Sequence, residues 1–175
     1  VVGVGVDGTL WGEQPWNARV IAPSPVAVDD ARIFVTAGYG EGSMMLRLER
    51  DGERFVPEVL YEHPPTDGLA CEQQTPIRHD GLLYGIMPKD AGALREQFVC
   101  YHPDGHFVWS SGAEHRFGLG PFMLADGRFY VLSDDGVLSL VDANAASFAP
   151  LDQARVLDGP DAWGPIALAG TRMLL

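Results

Sequence analysis

The sequence predicts an all-β chain made of four-stranded units that recur along its length. Three observations carry this expectation: a proline-led hairpin pattern that repeats, glycine and proline spread over the whole chain, and the lack of an amphipathic helix. No window of about a dozen residues keeps apolar positions at helical spacing without a Gly or Pro inside it. The 21 glycines and 13 prolines are distributed as a chain that turns about every 8 to 12 residues requires.

Four segments share a proline, an apolar run, a polar turn and a second apolar run. They are residues 25–35, 76–84, 121–131 and 165–175, led by Pro25, Pro76, Pro121 and Pro165, with proline-to-proline steps of 51, 45 and 44 residues. Each reads as two strands joined by a tight turn, because Asp80-Gly81 and Asp126-Gly127 supply the positive φ that hairpin turns demand. Proline suits the start of a first strand, where no ladder hydrogen bond is lost. A third apolar run follows at 44–48, 98–101 and 137–141. A fourth follows a further turn: 55–61 after Asp51-Gly52, 107–109 after Asp104-Gly105, and a vaguer 154–157.

Four strands recurring at this period point to the blades of a β-propeller, since a sandwich has no reason to repeat its sequence. The expected division is a blade remnant at 1–22, blades at 23–73, 74–118 and 119–162, and the start of a next blade at 163–175. The opening Val1-Val2-Gly3-Val4-Gly5-Val6 reads as a third strand already under way, and Met173-Leu174-Leu175 lies inside a second strand. The expectation is therefore about three and a half blades, a partial ring of a larger propeller.

Composition narrows the class. With 175 residues, 46% hydrophobic and 21% charged, the chain belongs with soluble globular proteins. No stretch approaches the roughly 18 uninterrupted apolar residues of a membrane span, so no membrane insertion is expected. The N-terminus lacks the basic-then-apolar layout of a leader, and Val1 in place of Met fits both an exported mature chain and an excised fragment. A net charge of −12 repels phosphate backbones, which argues against nucleic acid as a partner.

Other motifs resolve into turns. Gly3-Val4-Gly5-Val6-Asp7-Gly8 satisfies the dinucleotide pattern, but Gly12 and Pro15 stand where its helix would run, so a strand and turn is expected. Gly38-Tyr39-Gly40-Glu41-Gly42 lacks the lysine and serine of a phosphate loop. Of the histidines, His63, His79, His102, His106 and His115, only His102 and His106 are close, and they flank a Pro-Asp-Gly turn as solvated residues. Ser110, Ser111 and Ser133 sit in no nucleophile elbow. Cys71 and Cys100 show no zinc or redox spacing; they are either two buried thiols or, in an exported protein, a pair.

The stretch Val99-Cys100-Tyr101-His102-Pro103-Asp104-Gly105-His106-Phe107-Val108-Trp109 resembles the tryptophan-docking repeat of pyrroloquinoline-quinone-type propellers, in which a turn glycine precedes a tryptophan by four residues. Gly105 and Trp109 match that spacing. Asp7-Gly8-Thr9-Leu10-Trp11 is similar but shortened, while Asp51-Gly52 and Val141-Asp142 keep the position without the tryptophan. Gly38-Tyr39-Gly40-Glu41-Gly42 and Leu157-Asp158-Gly159-Pro160-Asp161-Ala162-Trp163 resemble non-catalytic members of the same family. The resemblance implies a seven- or eight-bladed ring in which Trp109 packs between neighbouring blades.

Such repeats occur in quinoprotein alcohol dehydrogenases and in the propeller scaffold of outer-membrane protein assembly, so the likeness carries the fold and leaves function open. The first expectation is a non-catalytic repeat module, periplasmic or otherwise exported, that serves as a binding or scaffolding platform for a protein or small ligand. The alternative is part of a pyrroloquinoline-quinone-dependent alcohol or sugar dehydrogenase with calcium as Lewis acid. That family pattern implies a catalytic aspartate, calcium-binding Glu and Asn side chains and, in many members, adjacent cysteines, which this chain lacks. Asp67, Asp90, Asp134, Asp135 and Asp161 are candidate carboxylates that suit turns equally well, so no catalytic, cofactor-binding or metal-binding residue is assigned. A third reading, a carbohydrate-degrading enzyme with paired carboxylates, rests on the abundant acids and aromatics. Trp11, Trp16, Tyr39 and Trp163 are the exposed-aromatic candidates for binding, and Trp163, just ahead of Pro165, is the first choice.

Overall fold

A computed structural model describes residues 1–144 and 146–175. The chain is all-β. A two-stranded sheet pairs β1 (Val2–Val4) with β2 (Leu10–Glu13). Three four-stranded antiparallel sheets follow, each an uninterrupted meander: β3 (Val26–Ala27), β4 (Arg32–Ala37), β5 (Gly42–Asp51) and β6 (Arg54–His63); β7 (Ile77–His79), β8 (Leu82–Ile86), β9 (Phe98–Tyr101) and β10 (Phe107–Ser110); β11 (Phe122–Ala125), β12 (Arg128–Leu132), β13 (Val137–Asp142) and β14 (Pro150–Arg155). A second two-stranded sheet, β15 (Ala167–Ala169) and β16 (Arg172–Leu174), comes last. Among the described residues the only helical turn is a short 3₁₀ segment at Gly92–Leu94, and no helix is long and apolar enough to cross a membrane.

Local chemistry explains the hairpins. Asp80 and Gly81 take φ of 46° and 78°, and Asp126 and Gly127 take 48° and 69°. Both central residues of each turn are thus left-handed, the geometry whose twist matches the flanking strands. Pro25, Pro76 and Pro121 directly precede β3, β7 and β11, whereas Pro165 stands two residues before β15. The fourth strand expected at 154–157 is instead β14, Pro150–Arg155, and every residue of it is exposed. An edge strand that buries neither face leaves no apolar alternation to read.

The pairing register repeats more faithfully than the sequence. In every hairpin between third and fourth strands, the ladder slips by one residue at the same place. Gly3↔Gly12, Met45↔Tyr61, Cys100↔Trp109 and Leu140↔Asp152 are equivalent pairs beside that bulge. The bulged residues are Trp11, Leu60, Val108 and Leu151. Tyr61 therefore occupies the place of Trp109, and Gly12, not Trp11, occupies it in the first sheet. The turn before Trp11 is not shortened either: Gly5 N–H donates to Thr9 O at 2.8 Å, as His102 N–H donates to His106 O at 2.8 Å. Trp11 lies instead against Phe55, ring centres 5.9 Å apart.

Each four-stranded sheet of the first two buries both faces. Phe34 and Met45 pack with Leu83, Val99 and Tyr101 of the next sheet. Alternate residues of that sheet, Tyr84, Phe98, Cys100 and Trp109, pack with Phe129, Val131 and Val141 of the third. On the other side of β3–β6, Val35, Met44 and Leu46 meet Val1 and Trp16. Strand period two sends successive residues to opposite neighbours, so the sheets stack in chain order. Trp109 bridges two sheets, its ring centre 5.9 Å from those of Tyr84 and Phe98 and 6.2 Å from that of Phe148. Its replacement by alanine opens a cavity between two sheets, and equilibrium denaturation is expected to show a loss of about 3 to 5 kcal/mol. Tyr61, whose hydroxyl donates to Pro103 O at 3.0 Å, makes the same bridge one sheet earlier, so Tyr61→Phe is expected to cost about 1 kcal/mol in the same measurement.

Candidate functional site

An antiparallel meander of four strands places its second-to-third turn at the end where its fourth strand leaves for the next sheet. The turns at 38–41, 87–97 and 133–136 thus share one end of the molecule with the connections at 64–76, 111–121 and 156–166. Hydrogen bonds knit these loops across sheets. Leu119 N–H donates to the Asp134 carboxylate at 3.4 Å, Ala162 N–H to Asp134 O at 2.9 Å, and Gln74 Nε2 to Trp163 O at 3.2 Å.

Two exposed aromatics rise from this end. Tyr39 is 53% exposed and held at φ 60°, a left-handed conformation set by the turn between β4 and β5. Trp163 is 40% exposed, and its backbone is tied to Asp161 and Gln74. Between them lies Glu72, whose side chain fills the space a Cβ on Gly38 would take. Burial pushes the Glu72 carboxyl above its ordinary value of 4.5, the neighbouring Asp90 adds to that, and Lys89 opposes it.

The five candidate carboxylates do not converge. Asp134 spans two connections, as above, and so has a structural role. Asp135 accepts from the Ser133 hydroxyl and from Arg155, and these partners, Ser133 first, hold it below the usual carboxylate range. Asp67 closes a turn through its N–H to Pro64 O at 3.0 Å, and Asp161 takes φ 64° in another. Asp90 stands beside a further acid, Glu72. Among the described residues no group of three or more His, Cys, Asp or Glu side chains could hold a metal.

The histidines are likewise dispersed. His102 and His106 are exposed at their turn, with His102 Nδ1 at 3.1 Å from Asp104. His63 lies on Tyr61, His79 edge-on to Phe129, and His115 on Phe148. Cys71 and Cys100 are free and buried, and they belong to the clusters on opposite faces of β7–β10, so no pairing forms between them. Burial pushes the Cys71 thiol up to about 12 and that of Cys100 to about 11.

Glu72 and Tyr61 escaped the sequence reading. Glu72 sits in a polar run with no periodicity, and nothing in its neighbours announces the approach of Asp90. Tyr61 follows a hairpin several residues longer than the one before Trp109, which hides the common spacing. No family model matches this chain, and none of the curated proteins matches it.

Two expectations follow. Because the folded-state pKa of Glu72 is raised, the folded protein binds more protons there than the unfolded chain, and stability falls as pH rises above about 4.5. Glu72→Gln should flatten that slope and raise the thermal midpoint at neutral pH, as followed by differential scanning calorimetry across pH. Neither native thiol should react with an aromatic disulfide reagent at neutral pH, whereas both should titrate in denaturant, since only the thiolate attacks.

Proposed function

We propose that this chain is a run of β-propeller blades acting as a non-catalytic platform, outside the cytoplasm, that binds or positions a protein or small ligand. What carries the reading is the combination of a repeating structural frame with an end surface that displays Tyr39 and Trp163. Large aromatics with free faces contribute contact area at low cost in side-chain entropy, which is what a binding surface needs. The frame itself favours the role, because loops fixed by stacked sheets can vary without disturbing the core. The resemblance of the Gly105 to Trp109 repeat to quinoprotein-type propellers supports the blade assignment and the extracytoplasmic setting.

Two measurements test this. The Tyr39→Ala, Trp163→Ala double variant should abolish capture of whatever ligand the wild-type chain retains, while leaving the thermal midpoint nearly unchanged, because both side chains are exposed. A large fall in the midpoint would reassign them to the core. Titration with pyrroloquinoline quinone and calcium should give neither bound-quinone absorbance nor dye reduction with alcohols or sugars; turnover would replace the platform with the dehydrogenase reading.

A further inference from the structure

The turns between third and fourth strands lie toward the end of the molecule opposite Tyr39 and Trp163, and the first two of them enclose a cleft. Its walls are Asp7, Thr9 and Trp11 from the β1–β2 hairpin and Arg50, Glu53 and Phe55 from the β5–β6 hairpin, around a volume of about 400 Å³. Both hairpins are closed ladders, and residues 1–4 take no part in the walls. That volume falls within the roughly 300 to 1,000 Å³ of small-ligand sites.

A local departure from the repeat shapes this cleft. In the next two interfaces the residue after the bulge is aromatic and reaches the following turn, Tyr61 to Pro103 O and Trp109 to Phe148. Gly12 stands there in the first interface, where no Cβ fits beside the Phe55 carbonyl oxygen. The aromatic of this hairpin is the bulged residue itself. Trp11 lays its indole over the Gly5 backbone, on which a Cβ would meet Cε2 and Cζ2 at 3.0 Å, and sets its ring centre 5.9 Å from that of Phe55 with the planes at 53°. The two rings form a bent apolar wall, and Trp11 is still 40% exposed.

The polar groups of the cleft carry both signs of charge. Asp7 accepts from the Thr9 N–H at 3.0 Å and from the Thr9 hydroxyl at 2.9 Å, bonds that hold its carboxyl below the ordinary value of 3.8. Glu53 is exposed, and Arg50 spends its Nε on Gly52 O at 3.0 Å, which leaves its terminal nitrogens to face other acceptors. A cationic guest is opposed by Arg50 and an anionic one by Asp7 and Glu53, so a neutral guest suits the site best. Hydroxyl groups donate and accept at once, and so satisfy carboxylate and guanidinium together. The negative face of an aromatic ring attracts C–H bonds polarised by neighbouring oxygens. We propose that this cleft binds a pyranose sugar ring, its C–H face on Trp11 and Phe55 and its hydroxyls on Asp7, Arg50 and Glu53. The site is separate from the loop-end surface and does not rest on it.

The test is a nuclear magnetic resonance titration of the 175-residue chain, labelled with nitrogen-15, against neutral tetrasaccharides of glucose, mannose, galactose and N-acetylglucosamine. The Trp11 indole N–H signal is assigned by its loss in Trp11→Phe. At least one of these sugars should shift that signal saturably while leaving those of Trp109 and Trp163 in place. Arg50 and Glu53 are exposed turn residues, so Arg50→Ala and Glu53→Gln should keep the thermal midpoint. Each should nevertheless weaken sugar binding about tenfold, the size of one lost hydrogen bond to a charged group, and Trp11→Ala should abolish it. The Tyr39→Ala, Trp163→Ala double variant should bind the sugar as the wild type does, which separates this site from the loop end. Tetralysine and inorganic phosphate are the charged controls. A shift with none of the sugars, a saturable shift with either charged control in their place, or sugar binding indifferent to Arg50→Ala and Glu53→Gln would each overturn the proposal.

Discussion

Burial of both faces of the same sheet is the constraint on which the rest of this structure depends. A sheet with one wet face tolerates polar residues at every second position. Here the central strands cannot: Leu83 and Tyr84, or Val99 and Cys100, are adjacent in sequence and buried against different neighbours. Such strands read as continuous apolar runs of four or five residues, and their only escape from water is a further sheet on either side. The sheets satisfy this by stacking in chain order, consecutive elements lying side by side.

Within that stack the bulge between third and fourth strands has a specific job. An extra residue on the fourth strand increases local twist and re-aims the side chain that follows it. At Trp109 and Tyr61 the re-aimed group is a large aromatic that reaches the next sheet, through ring packing in one case and a hydrogen bond to Pro103 in the other. Gly12 and Asp152 occupy the equivalent position and make no such bridge. At Gly12 the backbone itself closes on the next sheet, leaving no room for a Cβ beside the Phe55 carbonyl oxygen.

The loop end of the molecule follows different rules. Its acids are spent mainly on local structure, with Asp134 and Asp135 satisfying backbone and hydroxyl donors. Its aromatics Tyr39 and Trp163 are placed by backbone geometry and hydrogen bonds and are both exposed. The two cysteines play no part in this surface, since burial keeps both as thiols.

What the amino-acid sequence determined alone was everything governed by neighbours along the chain. The absence of amphipathic helix, the left-handed turns at Asp80-Gly81 and Asp126-Gly127, and the strands at 98–101 and 107–109 depend on the sign of φ and on alternation over a few residues. The proline-led hairpins were legible for the same reason. Tertiary structure decided what depends on register between distant strands: that Tyr61 stands in for Trp109, that Gly12 does so instead of Trp11, that Glu72 meets Asp90, and that Cys71 and Cys100 lie on opposite faces of one sheet. Those outcomes turn on hairpin length and on where the ladder slips, and a shift of a single residue moves a side chain from one face to the other.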